Sequence, residues 1–156
     1  MRSKLVKSAM LFIIVIGVSA IFISKSNARE GIPNPADEKG IKFIEQDWSK
    51  ALATAKEQKK LVFVDIYATW CGPCKLLKKN TFSDEKVAAF FNQHFVNVSV
   101  DGEATIGPEL VRKYSLEGYP TLLVTDAEGK PVLYSVGYID GPTLLRFAEE
   151  AIKRGS

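Results

Sequence analysis

Residues 61–75, Leu-Val-Phe-Val-Asp-Ile-Tyr-Ala-Thr-Trp-Cys-Gly-Pro-Cys-Lys, constrain the fold more than any other stretch. Leu61 to Ala68 is an apolar run broken by one charge, Asp65. Its β-branched and aromatic residues lack strict alternation, which predicts a strand buried on both faces. Thr69 and Trp70 form the exit turn, and Lys75 to Lys79 are good helix formers. Cys71 is therefore expected at the start of a helix, where unpaired N–H groups and the helix dipole favour an anion. The thiolate is the species that attacks disulfides, and a helix N-terminus lowers a thiol pKa. Cys71 should be exposed there, with Cys74 one turn in and more buried. Two intervening residues bring the two sulfurs within bridging reach, and Pro73 falls in the first turn, where its missing N–H costs little.

A structural disulfide or half a metal site are the alternatives to a redox pair. The chain has 2 cysteines and 1 histidine, so no Cys-only zinc site forms and His94 is too distant in sequence to complete one. Lys75 stands where a haem-attachment motif needs His. The reading is a redox-active Cys71–Cys74 pair with no metal and no organic cofactor.

Trp70-Cys71-Gly72-Pro73-Cys74-Lys75 resembles the active-site motif of the thioredoxin family, and the likeness runs over roughly residues 40–153. Asp65 matches the family's buried acid, Gly118-Tyr119-Pro120-Thr121 its cis-proline loop, and Gly137 a glycine near the end of the last strand. Thr81-Phe82-Ser83-Asp84 is similar to the C-terminal, thioredoxin-like domain of the membrane reductase DsbD. Asn97 departs from the pattern, standing where thioredoxins commonly carry a lysine near the buried acid. The resemblance implies Cys71 as nucleophile, Cys74 as resolving thiol and Asp65 as acceptor of the Cys74 proton. It implies Trp70, Gly72, Pro73, Tyr119 and Pro120 as the substrate-binding surface, with a cis Tyr119–Pro120 bond. Burial should raise the Asp65 pKa, and with Asn97 beside it no cation is expected to oppose that.

The net charge of +3 is uneven. Arg2, Lys4, Lys7 and Lys25 are the only charges in residues 1–28, and the remaining 17 basic and 18 acidic residues nearly cancel. Nothing here suggests nucleic acid. The basic start precedes an apolar run, Ala9–Ile23, and Ser26-Asn27-Ala28 offers small residues to a signal peptidase. Cleavage before Arg29 is one expectation. Retention of residues 8–24 as a membrane anchor is the other, since 17 residues sits at the lower bound for a spanning helix. Either route places the folded part outside the cytoplasm, in the periplasm. The expected division is 1–28 signal or anchor, 29–40 a Gly- and Pro-containing linker, and 41–156 one domain.

Along that domain the pattern predicts an edge strand at Ile41–Glu45 and a helix from Asp47 as N-cap to about Gln58. Trp48, Ala51, Leu52 and Ala55 should form its core stripe. Ser83 is expected to cap a helix whose inner face holds Val87, Phe90, Phe91 and His94, with His94 structural at its C-terminal end. Phe95–Asp101 alternates, which predicts a strand with one face buried. Gly107 and Pro108 open a short helix, Thr121–Thr125 and Val132–Val136 form a hairpin, and Asp140 and Pro142 start the last helix. Such an order implies an α/β architecture, a mixed sheet flanked by helices on both faces. The resemblance names it a thioredoxin fold.

The leading functional expectation is an extracytoplasmic protein thiol–disulfide oxidoreductase, most simply a disulfide reductase. The Gly-Pro dipeptide leans that way through the family resemblance. Its substrates would be protein disulfides. A reductant in an oxidising compartment needs an electron supply, so a membrane thiol donor of the DsbD type is the implied partner. An oxidase or isomerase, or a binding or chaperone module with a structural disulfide, remain open.

Overall fold

A computed structural model of the chain describes residues 39–155. The expected leader or anchor and nearly all of the 29–40 linker lie outside the described residues. The elements are β1 (Ile44–Glu45), α1 (Trp48–Gln58), β2 (Leu61–Tyr67), α2 (Gly72–Leu76), a π turn (Leu77–Thr81), α3 (Glu85–His94), β3 (Phe95–Asp101), α4 (Gly107–Lys113), β4 (Thr121–Thr125), β5 (Pro131–Val136) and α5 (Gly141–Gly155).

The strands form one mixed sheet in the order β1-β3-β2-β4-β5. β1 and β2 run parallel to β3, whereas β4 is antiparallel to β2 and β5 to β4. β2 thus sits at the centre, which explains why its run is apolar on both faces apart from Asp65. Val62, Val64 and Ile66 face Trp48, Ala51 and Ala55 of α1 and Leu110 of α4. Phe63, on the opposite face, packs with Leu77, Phe82, Phe91, Leu122 and Leu144 under α3, α5 and the π turn. Asp65 follows Phe63 on that second face.

Three aspartates start helices through their side chains. Asp47 accepts from Lys50 N, Asp84 from Lys86 N and Val87 N, and Asp140 from Thr143 N. Each satisfies N–H groups that have no partner within the helix. Ser83 is not the cap of α3. Its hydroxyl instead bonds back to the Lys79 carbonyl, leaving the cap to Asp84. Gly107 opens α4 where the chain crosses the end of β3. A Cβ there would stand 1.8 Å from the Asp101 carbonyl oxygen, so no other residue fits without moving backbone.

Three further expectations change. β1 is only two residues long, shorter than the strand expected from Ile41. β3 is buried on both faces from Phe95 to Val100, because Val96, Val98 and Val100 pack in the core under α1 and α4 while Phe95 joins the core under α3 and α5. Its polar residues turn to internal partners: Asn97 Nδ2 donates to the carbonyls of Lys42 and Phe91 and to Asn92 Oδ1, while Asn97 Oδ1 has no partner among the described residues. His94 does not join the inner face of α3. It is exposed at the last turn, its ring 4.5 Å from that of Phe90.

Phe63 is wholly buried, and the rings of Phe43, Phe82, Phe91 and Phe95 surround it. Phe63→Ala should lower unfolding free energy by about 3–5 kcal/mol through lost transfer energy and a residual cavity. Tyr134→Ala, at an exposed β5 position, should change it by about 0.5 kcal/mol or less. Urea denaturation of both variants measures the contrast.

Candidate active site

β2 ends at Tyr67, and Ala68 to Trp70 turn the chain into α2. Cys71 is the N-cap of α2, and its sulfur accepts a hydrogen bond from Cys74 N at 3.1 Å. The two cysteines are joined as a disulfide, with Cα atoms 5.3 Å apart. In this oxidised form both are buried, Cys71 at 2% exposure and Cys74 at 8%, so the expected exposure of Cys71 is not found. The pair packs with Ala68 and lies against Tyr67 and Tyr119.

The residues expected to bind substrate converge around that pair. Trp70 is 67% exposed, its indole N–H donates to Glu103 Oε2 at 3.0 Å, and its ring meets Tyr119 edge-to-face at 6.1 Å. Gly72 and Pro73 are exposed on the first turn of α2. The Tyr119–Pro120 bond is cis, as expected. Pro120 itself is buried, so Tyr119 offers the surface of that loop. Gly137, at φ +94°, donates its N–H to the Pro120 carbonyl and closes the loop against the end of β5.

Asp65 lies beneath the helix. Ser99, its register partner on β3, donates its hydroxyl to Asp65 Oδ2 at 3.0 Å. Oδ1 has no hydrogen-bond partner among the described residues. Asp65 and Ser99 line a cavity of about 230 Å³, together with Cys74, Lys75 and Lys78. Burial pushes the Asp65 carboxyl up to about 7, against the opposing effects of the Ser99 hydroxyl and the Lys78 ammonium. The raised value agrees with the sequence reading, but the surroundings differ from it. Asn97 is paired with Phe63, two residues down the strand, and its amide is engaged elsewhere. The cation comes from Lys78, four residues after Cys74 and hence on the same side of the helix.

Sequence reasoning missed Ser99, Lys78 and Glu103. Registering β2 against β3 would have found Ser99, and the four-residue spacing from Cys74 would have singled out Lys78. Nothing in the chain marks the reach of Glu103 across 33 residues to Trp70. A larger cavity, about 450 Å³, is lined by Lys56, Lys59, Lys60 and His94 beside Leu61, at the other end of β2 from the cysteines. The C-terminal ends of α1, α3 and α5 meet there, and their carbonyls account for the basic residues. Among the described residues, no cluster of His, Cys, Asp or Glu is arranged to hold a metal, and no helix is long and apolar enough to cross a membrane.

The chain belongs to the family described as thioredoxin-like domain, which matches residues 48–152. A putative disulphide-isomerase from Bacteroides thetaiotaomicron, a solution structure, is 43% identical, with a TM-score of 0.67 over 76% of this chain and 98% of its own. The thiol:disulfide interchange protein DsbD of Vibrio vulnificus (strain CMCP6) is 38% identical over 88 residues, 56% of this chain and 15% of that protein. The chain therefore spans a small part of the curated relatives it matches. The C-terminal domain of Neisseria meningitidis DsbD, in its oxidised form, shares the fold at 23% identity and a TM-score of 0.57, covering 66% of this chain and 90% of its own. The five-stranded mixed sheet is a thioredoxin fold, and the disulfide-forming Cys71–Cys74 pair gives it the arrangement of a thiol–disulfide oxidoreductase.

The Asp65 titration links stability to pH. Its carboxyl is raised from 3.8 to about 7 in the fold, so the native state holds a proton that the unfolded chain releases. The stabilisation is full below pH 4 and is lost as pH rises through 7. Asp65→Asn stays neutral throughout. It should therefore gain up to about 4 kcal/mol over the parent at pH 8, and nothing at pH 3. Urea denaturation of the oxidised proteins at the two pH values checks this; a gain independent of pH contradicts it.

Proposed function

We propose that the protein is an extracytoplasmic thiol–disulfide oxidoreductase working as a protein-disulfide reductase. The observation that carries the reading is the buried, half-satisfied Asp65 carboxylate sharing a cavity with Cys74 but not with Cys71. A purely structural disulfide needs no such acid.

In the reduced protein the Cys71 thiolate attacks a client disulfide. A Cys71–client disulfide forms, and one client thiolate leaves. Cys74 then loses its proton to the Asp65 carboxylate as its sulfur attacks Cys71. The Cys71–Cys74 disulfide forms, the second client thiolate is expelled and takes a proton from solvent, and two electrons have passed to the client. Asp65 returns its proton through the cavity. Trp70, Gly72, Pro73 and Tyr119 form the surface on which the client chain lies, with Glu103 holding the indole. Pro120 supports that surface from beneath.

The reducing direction rests on the Gly72-Pro73 dipeptide and on the likeness to DsbD. The basic start and apolar run of residues 2–23 support export, and a membrane dithiol donor of the DsbD type would return the protein to its reduced form. The identity to a protein titled a putative disulphide-isomerase favours a second reading, isomerisation.

Both readings are separated by turnover. With a small thiol donor, the native protein should reduce insulin disulfides faster than it restores activity to scrambled ribonuclease, and Cys74→Ser should accumulate a mixed disulfide on Cys71. The reverse order of rates favours isomerisation. Absence of both activities leaves a binding module. Protease added to spheroplasts should digest the domain, and full protection contradicts the export reading.

A further inference from the structure

Asp65 Oδ1, like Asn97 Oδ1, is a buried side-chain oxygen with no hydrogen-bond partner among the described residues, and Asp65 is at 7% exposure. Ser99 occupies the other oxygen, so the carboxylate is held with one oxygen free toward the cavity it shares with Cys74. The wall of that cavity away from the sheet is built by α2 and the π turn. Phe82 N bonds to the Leu77 carbonyl, one residue beyond α-helical spacing, and the widened turn lets Leu77, Thr81 and Phe82 all face inward. Lys78 is the second residue of that turn, on the side of Cys74. Its ammonium is exposed at the cavity, so it acts on Asp65 through the opening rather than by a buried ion pair.

We propose that Lys78 is a positioning residue for the resolving step: its charge at the cavity mouth keeps Asp65 able to give up its proton near neutral pH. The inference rests on the reading of Asp65 as the base for Cys74. The other groups facing Asp65 do not substitute for it. Glu45 of β1 opposes ionisation, and Lys78 is the cation whose field favours it. Lys75 of α2 lines the same cavity one residue after Cys74, whereas Lys78 stands a full turn on, on the side of Cys74. Tyr67 of β2 and Asp101 of β3 bring no positive charge, and Ser99 contributes only its hydroxyl. Asn97 is paired with Phe63, two residues away from Asp65 on the strand, so the positive charge at the cavity comes from the helix layer and not from the sheet.

The test follows the Asp65 carboxyl by carbon-13 NMR titration of the oxidised full chain. Lys78→Gln should raise the midpoint by about half a unit, from the loss of a unit charge seen through solvent. Lys78→Arg should keep the native value, and Lys79→Gln, one position along and away from the cavity, should leave it unmoved. Raising salt to 1 M should shrink the difference between native and Lys78→Gln. In single-turnover resolution of a preformed mixed disulfide, Lys78→Gln should be about twofold slow at pH 7 and native at pH 9, following the ionised fraction of Asp65. An unmoved midpoint in Lys78→Gln, or an equal shift in Lys79→Gln, overturns the proposal. A shifted midpoint with an unchanged rate overturns it as well, and with it Asp65 as the base.

Discussion

The placement of one carboxylate under the helix that carries the disulfide is the constraint on which the site depends. An acid removed from water with a single hydroxyl donor is costly to ionise. Its titration therefore moves to where a thiol can exchange protons with it. The cost is tolerable because the residue is at the edge of the second core, where Phe63 gives way to a cavity open toward Lys75 and Lys78. Deeper in that face the same group would meet only the phenylalanine cluster, with no route for its proton.

The fold brings these parts together with few local commitments. The central position of β2 puts Asp65 between the register partner that holds it, Ser99, and the helix that follows it, α2. The turn from Tyr67 to Trp70 sets Cys71 as the cap and Cys74 one turn later over the cavity. The loop ending in Tyr119 closes the other side, and Trp70 is steadied by Glu103 and Tyr119 together. Trp70 and Leu76 leave exposed apolar surface on the two sides of the Cys71–Cys74 turn.

Much of this was legible from residue patterns alone. The run Leu61–Ala68, the Asp47 and Asp140 helix starts and the hairpin from Thr121 to Val136 are local signals, and the fold honours them. The strand Phe95–Asp101 misled because its alternation of polar and apolar residues ordinarily marks a solvent face. Here Asn97 and Ser99 spend their polarity on buried partners, which no spacing rule anticipates. Ser83 was expected as the cap of α3, and the backbone geometry gives that place to Asp84, one residue on. The π turn has no propensity signature. Lys78 was hidden for a related reason: its effect on Asp65 arises where two elements meet, whereas the sequence comparison pointed to position 97.

The central claim is that Asp65 takes the proton of Cys74 as the internal disulfide forms. Stopped-flow measurement of mixed-disulfide resolution from pH 6 to 9, native against Asp65→Asn, tests it most directly. The native rate should rise through a midpoint near the Asp65 value of about 7, and Asp65→Asn should be slower by roughly ten- to a hundredfold, without that inflection. Native rates in Asp65→Asn across the whole range would contradict the account and leave the acid a structural feature.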